Sequence, residues 1–347
     1  MKPINQRGFS HPLVLLLLII VLAVVGFTGW RVWDNLEDED SSEAPTLQAT
    51  ATPCEGRLYD SHAHPDDDEV LERLPAIMTK HNIGCSVLFD HVDITDIDES
   101  LEMNRERYEG MPGRIALFYD VIKDDPSEVT RERLEELYQK SGGKFNGFGE
   151  YAFYQDPLRG TLLTAEPWPT IFAFAAEKKL PVMIHPMPEL VASLEVMLDR
   201  YPDTKVIVHG FELPDQMGDL LKSYPNLYYT LDTATMLTLD GDLPQVLMYP
   251  GGGPGSGFDV NEFLSIYKAE REQILAKTIK NWLPVLLAAP ERVMWGTDIS
   301  MEGHVDDRVY DILISLTDEF LNEVPQQYQQ GYLRDNAFKL LGPGVTF

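Results

Sequence analysis

The sequence predicts an α/β protein, a (β/α)8 TIM barrel preceded by one N-terminal transmembrane helix. Short apolar runs rich in β-branched and aromatic residues alternate with longer stretches of helical period, a pattern that argues for a parallel sheet. Eight such runs spread over roughly 290 residues, close to the ~250 that a helix-strand barrel takes. Ahead of them stands an uncharged run of 18 residues, Leu13–Trp30.

Taken in order, residues 1–12 read as a short cytoplasmic N-terminus, 13–33 as a transmembrane anchor, 34–54 as an acidic flexible tether and 55–347 as the barrel. The Leu13–Trp30 run is rich in Leu, Ile and Val, and as a helix it spans about 27 Å, enough to cross a bilayer. Trp30 and Trp33 fall at its far interface. Lys2 and Arg7 precede it, whereas Arg31 is followed by Asp34, Glu37, Asp38, Glu39 and Asp40. The positive-inside rule then leaves the N-terminus in the cytoplasm and the body on the extracytoplasmic side. A cleaved signal peptide is the competing reading, but its apolar region is usually shorter, and no Ala-x-Ala site follows Val25. From Asp34 to Pro53 the chain is acidic, then rich in Ser, Thr, Ala and Pro, without apolar periodicity, as a tether should be. The two cysteines, Cys54 and Cys85, are too few for a disulfide framework or a cysteine zinc site. A single bridge outside the cell and two incidental thiols both fit.

The barrel strands are read at Leu58–Ser61, Ser86–Phe89, Ile115–Val121, Gly147–Ala152, Pro181–His185, Lys205–His209, Leu227–Asp232 and Arg292–Thr297. Between them the helical period marks Asp68–His81, Ser127–Ser141, Pro169–Lys179, Glu189–Tyr201, Asp215–Ser223 and Val260–Leu283, and neither a second domain nor a short repeat is visible. Tyr249–Gly257, with its run of glycines after the seventh strand, reads either as a mobile lid or as a long loop needing positive φ.

Hydrophobic residues make up 44% and charged residues 24% of the chain, ordinary globular composition that excludes a wholly disordered protein. Lys and Arg number 28 against 56 Asp and Glu, a formal charge of −28 that argues against nucleic acid as the main partner and fits a soluble catalytic body, or a cationic or neutral small-molecule substrate.

The chemistry stands at the strand ends. His62 and His64, one residue apart in Tyr59-Asp-Ser-His-Ala-His-Pro65, project to one side of an extended strand, which is how two imidazoles are offered to one metal ion. Glu150, His185, His209 and Asp298 follow, each at the end of a buried apolar run. Singly, His185 and His209 read as buried histidines bonded to backbone, Glu150 as a structural carboxylate and Asp298 as a helix cap. Their shared register is what those readings leave unexplained, because in a barrel these ends converge on one mouth. The set His62, His64, Glu150, His185, His209 and Asp298 is therefore the expected metal site. Zinc suits imidazole plus carboxylate, with manganese and iron as alternatives on ligand type. Arg159, Tyr151 and Trp168, after the fourth strand, are the candidates for substrate contact.

With these residues in view, the chain resembles the amidohydrolase superfamily, and more narrowly its metal-dependent TIM-barrel hydrolases of the amidohydrolase-2 type. The resemblance runs from about Glu55 to Gly342 and includes Asp335-Asn-Ala-Phe-Lys-Leu-Leu341 near the C-terminus. It implies His62 and His64 as the first-strand pair, His185 and His209 as the fifth- and sixth-strand histidines, and Asp298 as the eighth-strand aspartate. Glu150 departs from the single-ion pattern and matches the bridging carboxylate of two-metal members such as TatD-like deoxyribonucleases. Two ions held by all six residues, or one ion on His62, His64, His185 and Asp298, are both open. The expected chemistry is hydrolysis of an amide, ester or lactone by metal-activated water, with Asp298 as general base and His209 polarising the scissile bond. A decarboxylase on the same barrel, a TatD-like nuclease and a non-catalytic anchored metal-binding module are the alternatives.

Overall fold

Eight parallel strands form and pair in chain order. The computed structural model describes residues 54–346 except 66–67, 112, 123–124, 211–213, 240–244 and 251–256. The expected cytoplasmic N-terminus, the transmembrane helix over 13–33 and the tether up to 53 lie outside those residues, as does the glycine run of the proposed lid. Among the described residues no helix is long and apolar enough to cross a membrane. By its contacts the chain divides into residues 1–50 and 51–347, and every described residue falls in the second unit.

The barrel strands are β1 (Leu58–Ala63), β2 (Ile83–His91), β3 (Ile115–Asp120), β4 (Gly147–Ala152), β5 (Val182–His185), β6 (Val206–Val208) and β7 (Leu227–Asp232). A two-residue antiparallel pair, β8 (Thr238–Leu239) with β9 (Gln245–Val246), precedes the last barrel strand, β10 (Val293–Gly296). Neighbours from β1 to β7 and then β10 are hydrogen-bonded in that order, all parallel. Such a sheet is covered on both faces, so β1, β5, β6 and β10 are buried at every position. Tyr59, Val87, Phe89, Ala116, Phe118, Met183, Ile207 and Met294 pack together as the inward row. The alternate residues, among them Leu58, Leu88, Leu117, Ile184, Val206 and Trp295, join the layer beneath the helices.

β10 meets β1 just beyond its own end. Thr297 and Asp298 donate their backbone N–H groups to His62 O at 3.3 and 2.8 Å, and His64 N–H reaches Ile299 O at 2.7 Å. Beneath them the buried Asp60 carboxylate accepts from Thr297 N at 2.9 Å and Thr297 Oγ1 at 2.6 Å. The opposite, strand-start end is plugged by the C-terminal segment. Asn336 donates to Pro290 O and Val293 O at 2.8 and 2.7 Å, and Asn146 donates to Leu341 O at 2.8 Å, while Ala337 and Leu341 pack against the inward row. The Asn-Ala-Phe-Lys-Leu-Leu segment thus closes the bottom of the barrel.

Helices cover the outside close to the expected spans, with differences at their ends. The first turns of two shrink to 3-10 turns at Pro126–Glu128 and Pro188–Leu190, ahead of helices Arg131–Lys140 and Val191–Arg200. The helix expected to stop at Leu283 runs from Val260 through Pro284 to Ala288, anchored by the buried Trp282, Val285 and Leu286. Ile97–Tyr108, which periodicity did not mark, is helical under an Asp96 cap. Cys54 and Cys85 form a disulfide across 4.7 Å between Cα atoms, so the reading of two incidental thiols is set aside. The bridge joins the start of the domain to β2.

His304, in the turn Glu302–Val305 after β10, holds two loops together. Its Nδ1 accepts from Ser300 N at 3.1 Å and its Nε2–H donates to Met248 O at 2.8 Å, with the Tyr249 and Phe258 rings edge-on at 5.5 and 4.7 Å. Burial pushes this imidazole down to about 4. Between that value and the unfolded value near 6.5 the unfolded chain binds the extra proton, so stability falls as pH drops through this window. We expect the urea-unfolding advantage of wild type over His304→Gln, both measured with chelator present, to shrink by about 2–3 kcal/mol from pH 7 to pH 4.5. A pH-independent difference would contradict the buried neutral imidazole.

Candidate metal centre

The strand alternation delivers the side chains. His185 and His209 each stand two residues beyond an inward-facing residue, Met183 and Ile207, so both turn into the mouth, while Asp298 lies two residues past the end of β10. Glu150 arrives by another route, because the register is irregular between Phe148 and Tyr151. Gly149, at φ 115°, makes that turn possible: a Cβ there would lie 2.3 Å from Met183 O.

Glu150 is the centre of the cluster. Its Oε2 lies 3.1 Å from His62 Nε2 and 3.0 Å from His64 Nε2. Its Oε1 lies 3.5 Å from His185 Nδ1 and meets His209 Nε2. The carboxylate therefore faces one histidine pair with each oxygen. Asp298 Oδ1 stands 3.6 Å from His64 Nε2 and 3.8 Å from His62 Nδ1. Its backbone is in the left-handed region, φ 59°, fixed by His62 O on one side and the Tyr249 hydroxyl on its own carbonyl. A non-glycine residue held there stores strain, a common feature of functional sites. All six residues expected from the sequence are thus brought together.

One residue was not foreseen. Asp232, the last residue of β7, is fully buried and places Oδ2 3.5 Å from both His62 Nδ1 and His209 Nδ1. The strand read as Leu227–Asp232 already ended on it, but an aspartate before Thr-Ala-Thr reads as a helix cap. Its Oδ1 does cap, accepting from Thr235 N at 2.7 Å.

The donor set fits divalent metal. His62 with His209, Asp232 and Asp298, then His62 with His64 and Glu150, then Glu150 with His185 and His209, each gather ligand atoms within 4.8 Å. Three carboxylates share this buried space, and their ion pairs among the described residues are all with histidines. Buried negative charge of that density needs positive charge close by, from protons on the rings or from metal. The titration directions say the same. Burial opposes charge on His62, yet Asp298, Asp232 and Glu150 hold it well above the usual histidine range. Burial would raise Glu150, but His209, His185 and His62 hold it well below the usual carboxylate range. Asp298 goes the other way, raised by burial and by the neighbouring Asp232 charge against the pull of the histidines.

Around the ligands the walls are aromatic. Phe89 lies 5.2 Å from the His62 and His64 rings, and Tyr154 lies edge-on to His185 at 4.8 Å. Two of the residues expected to touch substrate are elsewhere: Tyr151 and Trp168 are buried and pack edge to face at 4.9 Å, because the alternation turns Tyr151 outward beneath the helices. Arg159 is exposed and donates twice to Tyr154 O, at 3.0 and 2.8 Å, bracing the loop that carries Tyr154.

Gly210, at φ 114°, leaves room for His185, since a Cβ there would lie 2.8 Å from His185 Nε2. Gly210→Ala should therefore push His185 off its position and lower turnover by about a hundredfold, with the fold retained by circular dichroism. An unchanged rate would show that His185 does not need that place.

The amidohydrolase family pattern matches residues 59–342. No curated protein matches the chain. Among solved structures, an amidohydrolase from Burkholderia multivorans with bound zinc is similar at a TM-score of 0.56 and 12% identity, over 82% of this chain and 98% of that one. A dihydroorotase from Saccharomyces cerevisiae in complex with 5-fluoroorotic acid is similar at 0.50 and 11%, over 84% and 85%. A protein of Agrobacterium tumefaciens in its apo form is similar at 0.50 and 13%, over 84% and 98%. At such identities the structural likenesses speak for the barrel, and the sequence match speaks for the family. The chain belongs to the amidohydrolase family and is a metal-dependent enzyme of that type.

Proposed function

We propose that the chain is a two-ion hydrolase acting on an amide, ester or lactone bond of a small molecule. The observation that carries this reading is Glu150, whose two oxygens face two separate histidine pairs, His62 with His64 and His185 with His209. A carboxylate so placed would help to hold one ion with each histidine pair, with Asp298 on the His62–His64 side. Zinc matches imidazole and carboxylate donors, and manganese or iron would accept the same set. Held by these residues, divalent ions would supply Lewis-acid polarisation and an activated water near neutral pH. Asp298, whose Oδ1 stands beside His62 and His64, would take a proton from the attacking water and return it to the leaving group. His209 has one nitrogen on Glu150 and the other toward Asp232, so we assign it to holding an ion rather than to polarising the substrate.

Elemental mass spectrometry of the purified protein should find about two ions per chain, falling to one or none in Glu150→Ala. One ion unaffected by that change would overturn the two-ion reading. Turnover on a panel of lactones, esters and amides should fall about 10²–10⁴-fold in Asp298→Asn. Carbon dioxide released from a carboxylated substrate, without hydrolysis of any panel member, would make the enzyme a decarboxylase instead.

We further infer from the sequence that the barrel lies on the extracytoplasmic side, held by the apolar segment 13–33. Lys2 and Arg7 before that segment and the acidic run after it support this orientation, and so does a disulfide, which persists in oxidising compartments. Protein extracted with an alkylating agent should take up no label before reduction and two labels per chain after it. Two labels without reduction would contradict the placement.

A further inference from the structure

His62 and His209 belong to different halves of the cluster, yet they turn their second nitrogens to the same oxygen. Each presents Nε2 to Glu150, His62 to Oε2 and His209 to Oε1. Each presents Nδ1 to Asp232 Oδ2, at 3.5 Å in both cases. The helix cap does not account for this oxygen, because the cap uses Oδ1. Among the described residues neither Asp232 Oδ2 nor His62 Nδ1 has a hydrogen-bond partner at closer range, and a buried carboxylate oxygen calls for one. The segment around it is firmly held: Tyr332 Oη donates to Leu231 O at 3.1 Å, and Thr233 Oγ1 donates to Thr297 O at 3.2 Å beside Asp298.

We propose that Asp232 is a positioning residue shared by both halves of the metal site. It accepts the Nδ1–H of His62 and of His209 together and so fixes the tautomer and direction of one ligand for each ion. This rests on the two-ion reading above. Metal-binding histidines commonly donate their free ring N–H to a carboxylate, which orients the ring and raises its basicity. What is particular here is that a single oxygen serves two rings. The consequence is specific: a change at Asp232 should loosen both ions, whereas a change at His185, whose Nδ1 faces Glu150 Oε1 on one side of the cluster, should loosen one.

The test uses the full chain loaded with zinc and graded chelator competition, with metal content read by elemental mass spectrometry. Asp232→Asn keeps the shape but cannot offer an acceptor to the rings and to Thr235 at once. Asp232→Ser keeps a good helix cap and removes the second oxygen. We expect both variants to bind both ions about 10–100-fold more weakly than wild type, and His185→Gln to weaken only one. Nitrogen-15 spectra of the zinc-loaded wild type should show Nδ1–H signals for His62 and His209, with one or both lost or shifted in Asp232→Asn. Wild-type chelator resistance in both variants would overturn the proposal, and so would a fall in metal-free melting temperature with metal affinity unchanged. Failure of both variants to fold would equally make Asp232 a structural residue. If the wild type itself binds no ion, the two-ion reading falls first. If wild type and both variants hold two ions equally well, only the role of Asp232 falls.

Discussion

The burial of Glu150 between two histidine pairs is the constraint on which the rest of the mouth depends. A carboxylate with almost no access to water, joined by Asp232 and Asp298, is stable only where positive charge is supplied within a few ångströms. The four imidazoles provide that as protons or as the ligands of metal. Much of the local backbone serves this arrangement. Gly149 allows the turn that brings Glu150 inward, Gly210 clears the space of His185, and Asp298 sits in a strained conformation fixed from both sides.

The same residues close the barrel. β1 and β10 are joined through His62 O, Thr297 and Asp298, with the buried Asp60 carboxylate beneath them. The seam of the fold and the first strand's ligands are therefore one structure. Any change that loosens the β1–β10 junction should move His62 and Asp298 together, while the plug formed by Asn336, Ala337 and Leu341 at the other end secures the fold without touching the site. This division of labour between the two ends of the strands is common to barrel enzymes.

Much of this was legible from the residues. The strand ranges and the convergence of His62, His64, Glu150, His185, His209 and Asp298 follow from apolar runs ending in ligand-type residues, and the family from the resemblance that those motifs carry. What escaped has physical reasons. Asp232 has two oxygens with two jobs, and the local pattern shows only the cap. Tyr151 follows Glu150 and by position reads as part of the mouth, but side-chain alternation turns it into the outer layer with Trp168. The helix Ile97–Tyr108 carries charged residues at half of its twelve positions and buries only four side chains, so its period is faint. Whether Cys54 meets Cys85 depends on where the chain enters β2's neighbourhood, a tertiary fact. The choice between one ion and two turns on the direction of one carboxylate, which no spacing encodes.

That direction can be seen directly. A crystal structure of the zinc-loaded protein, with anomalous differences collected above and below the zinc edge, should show two peaks about 3.5–4 Å apart with Glu150 between them, one within reach of His62 and His64 and the other within reach of His185 and His209. A single peak, or a Glu150 carboxylate turned away from both, would contradict the account.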